Sequence, residues 1–173
     1  MQVCTRAQTN ARPLSGMLIG IGIGSMLADG TAPRLVEYTV CLTQSLAPII
    51  AESFPCEAKS LSSTVQSNKL ACCLGGGSNY DKHIDNLGAG DSRKLTVLYY
   101  LNREDWDDDG STRGGSFRAY LGSSGATNVR SSSVQEPCVD VACRGDRLLG
   151  FWSDSLVHEV LPSFAPGGPS DYR

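Results

Sequence analysis

From residue 69 onward the chain is a series of short apolar runs, each closed by glycine or by a cluster of Ser, Asn and Asp. This punctuation restricts it to strands joined by turns. Residues 70–74 (LACCL) end at Gly75, Gly76, Gly77 and Ser78. Residues 95–101 (LTVLYYL) are β-branched and aromatic and give the strongest strand signal in the chain. Residues 116–121 (SFRAYL) follow Gly114 and Gly115 and alternate cleanly, and 139–141, 148–152 (LLGFW) and 157–161 complete the set. The longest loop between them is the polar segment 122–137 (GSSGATNVRSSSVQEP). Ahead of the strands, residues 36–54 read as a helix, with Leu42, Leu46, Ile49 and Ile50 at three- and four-residue steps. Pro48 is expected to kink or divide it. One helix followed by six or seven short strands predicts a mainly β protein, a barrel or jelly roll backed by a helix.

A length of 173 residues suits one domain. The 15 Lys and Arg against 18 Asp and Glu leave a net charge of −3, without the basic excess of a nucleic-acid scaffold. Hydrophobic residues at 40 % supply a core and exclude wholesale disorder. No apolar stretch approaches the length of a membrane span. The cysteines are odd in number, include the neighbours Cys72 and Cys73, and contain no CxxC pair. Such a set is a poor disulfide framework and a poor zinc site, and it points to a reducing compartment, cytoplasmic or nuclear. Residues 1–35 stand apart: they carry Arg6 and Arg12, no acid before Asp29, and the apolar run 17–27 (MLIGIGIGSML). They read either as a secretory or organellar targeting segment or as a poorly ordered N-terminal extension. Gly20, Gly22 and Gly24 do not make a dinucleotide fingerprint, because Ser25 stands where its third glycine is needed.

The chain holds two histidines. His83 stands two residues before Asp85, and on a strand such a pair shares one face and reaches one ion together. His158 follows after enough chain for several strands to return it beside the pair. Two imidazoles and one carboxylate on one side of a metal leave three adjacent positions open, the arrangement of non-heme Fe(II) oxygenases. An HxD pair with a distant histidine is a common accident, but the order of the surrounding segments is more specific. They are 79–86 (NYDKHIDN), 95–102 (LTVLYYLN) with Asp105 and Trp106, Gly114 with Gly115, and 146–154 (DRLLGFWSD) ahead of His158. In that order they resemble the catalytic domain of the prolyl 4-hydroxylases, nearest to the hypoxia-factor prolyl hydroxylase branch of the 2-oxoglutarate/Fe(II) dioxygenases.

The resemblance implies a double-stranded β-helix (jelly-roll, cupin-like) barrel over residues 36–173 with a supporting N-terminal helix. It also implies a C-terminally truncated domain, since the family continues past the position of Arg173 with one more closing strand. By the same resemblance Fe(II) is held by His83, Asp85 and His158, and ascorbate keeps it reduced. The distal carboxylate of 2-oxoglutarate falls to Arg173 and to the Tyr100 hydroxyl, with Leu98 lining its pocket. A guanidinium suits that role because its planar fork stays charged and holds a carboxylate through two bonds. Phe117 flanks the iron, and Arg118 lies on the face that a proline-containing protein or peptide approaches. The implied reaction couples hydroxylation of peptidyl-proline by dioxygen to decarboxylation of 2-oxoglutarate, giving succinate and CO2. It needs no side-chain nucleophile or acid–base.

Tyr99 and Tyr100 alternate faces on one strand, and Tyr100 is expected inward; Trp106 and Trp152 read as core or loop anchors. The acidic run 105–110 imitates the start of a calcium loop, but its twelfth position is Ser116 rather than Glu, so a hairpin loop accounts for it. The sequence departs from the family pattern in Cys73, where the family carries a tyrosine near the co-substrate. It departs also in the longer spacing from His158 to Arg173 through Pro166-Gly167-Gly168-Pro169, and in the length of loop 122–137. Two other readings stay open beside the prolyl hydroxylase: a catalytically impaired barrel that binds a peptide or metal, and a related dioxygenase with a non-prolyl substrate.

Overall fold

The computed structural model describes residues 18–22, 30, 33–55, 61–73, 77–103, 106, 113–122 and 136–164. They belong to two units, with main bodies Leu18–Cys72 and Cys73–Arg173. The segments 107–112 and 123–135, Pro166-Gly167-Gly168-Pro169, and Arg173 with its expected carboxylate contact lie outside the described residues.

In the first unit, β1 (Leu18–Gly22) pairs with β2 (Lys69–Cys73), and α1 (Pro33–Ser53) follows β1 in the chain. The stretch read as a targeting segment or extension therefore contributes a short strand. Pro33 opens α1 at a position where the missing N–H has no intrahelical partner to lose. The division expected at Pro48 does not occur, and α1 is assigned without a break. Proline there removes one ladder bond, and the last turn keeps its own, with Phe54 N donating to the Ile50 carbonyl at 2.8 Å. The buried positions of α1 are Val36 and Ala47, with Leu35 and Leu70 packed against Val36. Ile49, expected on the apolar stripe, is 58 % exposed.

The second unit holds two antiparallel sheets. One has the order β3-β8-β5-β6, from β3 (Ser78–His83), β5 (Phe117–Tyr120), β6 (Cys138–Val141) and β8 (Val157–Ser163). The other pairs β4 (Leu95–Tyr99) with β7 (Leu148–Trp152). The sheets meet through an aromatic cluster: the ring of Phe117 lies 5.2 Å from Phe151 and 5.0 Å from His158, and Phe151 lies 4.7 Å from His158. The chain is thus mainly β, with antiparallel sheets and one helix among the described residues, as the pattern of apolar runs predicts. No described helix is long and apolar enough to cross a membrane.

Strand β3 has no counterpart in the periodicity. Its sequence is SNYDKH, its four central residues are exposed, and it forms the edge of its sheet, so no apolar alternation marks it. Its register with β8 slips between Ser78 and Tyr80 and again between Tyr80 and His83, which sets His83 directly opposite His158. The pair Gly114 and Gly115 seats the start of β5 against the end of β8. Gly114 has φ of +63°, and a β-carbon there would lie 2.1 Å from the Pro162 carbonyl oxygen, so no larger residue fits without moving backbone. Trp106 is the anchor expected of it: it is buried, and its indole N–H donates to the Gly114 carbonyl at 3.2 Å.

Candidate metal centre

His83 is the last residue of β3, and Asp85 lies in the bend that follows. The two therefore do not share a strand face; the bend turns the carboxylate back toward the imidazole. Asp85 Oδ1 is 3.3 Å from His83 Nε2 and 3.8 Å from His158 Nε2. The three ligand atoms all lie within 4.8 Å of one another. Imidazole–metal bonds of about 2.1 Å place neighbouring ligand atoms about 3 Å apart in an octahedral sphere, so a single ion fits this spacing with small side-chain adjustments.

The hydrogen bonds of the rings settle which nitrogen is offered. His83 Nδ1 is 2.6 Å from the Asp81 carbonyl, and His158 Nδ1 is 3.0 Å from the Leu156 carbonyl. A carbonyl only accepts, so each Nδ1 carries the proton and each neutral ring presents its Nε2 lone pair toward the shared point. Burial holds the His158 imidazole below the ordinary histidine value, with the Leu156 carbonyl opposing that shift. His158 is 4 % exposed and is held between Phe117 and Phe151, whose rings fix its plane.

Asp85 is fixed from several directions. Thr96 donates its hydroxyl to Asp85 Oδ2 at 2.6 Å, and Arg93 donates to the Asp85 carbonyl at 2.7 Å. The next residue, Asn86, is buried; its amide donates to the carbonyls of Asp91 and Arg93, and its own oxygen accepts Gly88 N–H. Arg93 also grips Asp91 and lowers its carboxyl to about 2. The loop between β3 and β4 is thereby tied back on itself, with the metal-side carboxylate at its root.

Leu98 and Tyr100 project to the same side of the strand as Thr96, two and four residues on. Tyr100 follows β4 and stays in register, its N–H donating to the Arg147 carbonyl at 3.0 Å. It is half-buried, and burial pushes its hydroxyl above the ordinary tyrosine value, with the Cys143 thiol adding to the effect. Tyr99 turns the other way and donates to Asp146 at 2.6 Å. The face that carries the metal ligand's support thus runs on through Leu98 to Tyr100. Cys73, half-buried, contributes to the electrostatic surroundings of Tyr100.

The two residues expected near substrate separate. Phe117 is 1 % exposed and stacks on His158, whereas Arg118 emerges on the opposite face of β5. There it makes two bonds of 2.7 Å to Asp140 and lies 3.8 Å from Glu159. Adjacent strand residues face opposite ways, so Phe117 lies on the His158 side of β5 and Arg118 on the other. Sequence reasoning missed Thr96 and Ser153. The signal was a hydroxyl inside the otherwise apolar run 95–101 and another just after LLGFW.

Comparison with known proteins places this geometry in context. The model of the 2OG-Fe(II) oxygenase superfamily matches residues 68–169. The chain is 37 % identical over 97 residues to Egl nine homolog 1 of Rattus norvegicus, covering 56 % of this chain and 24 % of that protein. It is 41 % identical over 98 residues to prolyl hydroxylase EGLN3 of Mus musculus, covering 56 % and 34 % respectively. It therefore spans a quarter to a third of these relatives. Among solved structures, a prolyl 4-hydroxylase from Phytophthora capsici is 26 % identical, with a TM-score of 0.56, over 84 % of this chain and 43 % of that one.

Proposed function

The chain belongs to the 2OG-Fe(II) oxygenase superfamily, and on that premise we propose that it is a 2-oxoglutarate-dependent dioxygenase that hydroxylates proline in a protein or peptide. Iron with 2-oxoglutarate and dioxygen supplies the oxidising power, one oxygen atom passing to succinate as CO2 leaves and the other to the prolyl carbon. His83, Asp85 and His158 hold the ion through two Nε2 atoms and one carboxylate oxygen. Tyr100 and Leu98 form the co-substrate side of the site, together with Arg173 for the distal carboxylate. A Tyr100 hydroxyl that burial keeps protonated is suited to donate a hydrogen bond to a carboxylate. Phe117 and Phe151 exclude water from the His158 side. Ascorbate serves to keep the iron reduced. The two sheets of the second unit form the walls of a double-stranded β-helix, residues 36–173 make up the dioxygenase domain, and residues 1–35 precede it as an extension. The compartment is cytoplasmic or nuclear.

The observation that carries this reading is the pair of imidazoles whose Nδ1 atoms are tied to carbonyls while both Nε2 atoms converge with Asp85 Oδ1. The test supplies purified protein with Fe(II), 2-oxoglutarate and a panel of proline-containing peptides, and follows succinate and peptide mass. Succinate release with a peptide gain of one oxygen on proline is expected. Iron binding without succinate would overturn the enzyme in favour of a binding module. Succinate coupled to oxidation of another residue would overturn the prolyl assignment alone.

A further inference from the structure

We propose that Thr96, backed by Ser153, is a positioning residue that keeps Asp85 a one-oxygen ligand. This rests on reading His83, Asp85 and His158 as the iron site. A carboxylate has two oxygens and can give a metal either one or both. Three protein donors leave three places on a six-coordinate ion, enough for a chelating keto acid and dioxygen. A second oxygen from Asp85 would take one of them.

In the structure the two oxygens are already distinct. Oδ1 faces the two imidazoles at 3.3 and 3.8 Å, while Oδ2 accepts the Thr96 hydroxyl at 2.6 Å, the length of a charge-assisted bond. Thr96 Oγ1 is also 2.8 Å from Ser153 Oγ. The direction of this chain follows from proton count. An ionised carboxylate only accepts and Thr96 has one proton to give, so Thr96 donates to Asp85 and Ser153 donates to Thr96. Ser153 is fully buried, and its backbone is pinned by donation to the Lys94 carbonyl and acceptance from Asn86 N–H, both at 2.8 Å. Thr96 is β-branched and sits inside β4, so its rotamer is restricted. The relay joins the carboxylate to β4 and to the buried residue that follows β7.

The experiment compares the full chain with Thr96→Val, which keeps the shape and removes the hydroxyl, with Thr96→Ser, which restores it, and with Ser153→Ala. Fe(II) affinity and 2-oxoglutarate affinity are measured separately and anaerobically by calorimetry, alongside the visible absorption of the iron–keto acid chelate. Thr96→Val is expected to hold Fe(II) within about 3-fold of the parent yet to lose about 10–100-fold in 2-oxoglutarate affinity, with a changed chelate spectrum. Thr96→Ser is expected to recover both, and Ser153→Ala to fall between. Parent-like 2-oxoglutarate binding by Thr96→Val overturns the proposal, as does an equal loss of iron and keto acid. If Thr96→Val does not fold, Ser153→Ala decides, and parent-like affinity and spectrum there overturn the proposal. Failure of the parent chain to bind Fe(II) at all would instead strike the iron site on which it rests.

Discussion

The two faces of the sheet formed by β3, β8, β5 and β6 are built from alternate residues of the same strands, and they do opposite things with polarity. On one face Phe117 and His158 pack with Phe151, and the ligand atoms of His83, Asp85 and His158 converge within 4.8 Å of one another. On the other, next-door residues satisfy one another: Arg118 holds Asp140, Tyr120 donates to Glu159, Lys82 pairs with Glu136 at 2.5 Å and lies over the Tyr120 ring. The bond that Tyr120 donates to Glu159 pushes its hydroxyl up to about 12, because the proton is held between them, with burial and the carboxylate charge adding to the effect. The outer face is solvated and internally paired, which makes it electrostatically quiet. The inner face gathers two imidazoles and one carboxylate oxygen beside aromatic rings. A binding site differs from a surface network less in its residue types than in whether its polar atoms converge on one point.

Asp85→Ala should lower Fe(II) affinity by more than about 100-fold while the fold persists, read by metal titration beside circular dichroism; undiminished iron binding would erase the distinction between the faces. Phe117→Ala should cost about 3–5 kcal/mol in urea unfolding, because a fully buried ring shared by both sheets is removed. Asp140→Asn, on the other face, should cost about 0.5–1 kcal/mol, fade in high salt and leave iron affinity unchanged. Its pH dependence has a definite sign. Arg118 holds the Asp140 carboxyl below its ordinary value, so the pair's contribution is complete above about pH 4 and is lost as pH falls further. The difference between parent and Asp140→Asn should therefore narrow below about pH 4. Lys82→Ala should be smallest, within about 0.5 kcal/mol, since both partners are substantially exposed.

How much of this was legible in the sequence varies by element. Strands β4 and β7 were plain from LTVLYYL and LLGFW, since both are runs of apolar, β-branched and aromatic residues bounded by polar ones. Strand β3 was not, because an exposed edge imposes no apolar period on SNYDKH. The break expected at Pro48 failed for a related reason: one missing N–H is a local cost that a long helix absorbs. The cluster of His83, Asp85 and His158 was legible, because the chain holds two histidines and the order of the surrounding motifs singled out an HxD pair that alone is a common accident.

Residue type and short-range spacing sufficed for the two histidines with their HxD aspartate, the strand-forming runs and the glycine pair ahead of β5. It took the folded chain to set His83 opposite His158, to turn Phe117 rather than Arg118 toward that histidine, and to brace Asp85 with a threonine from β4 and a serine just after β7. Strand register and the facing of two sheets arise from pairings far apart along the chain, and the spacing of neighbours along it carries no record of them.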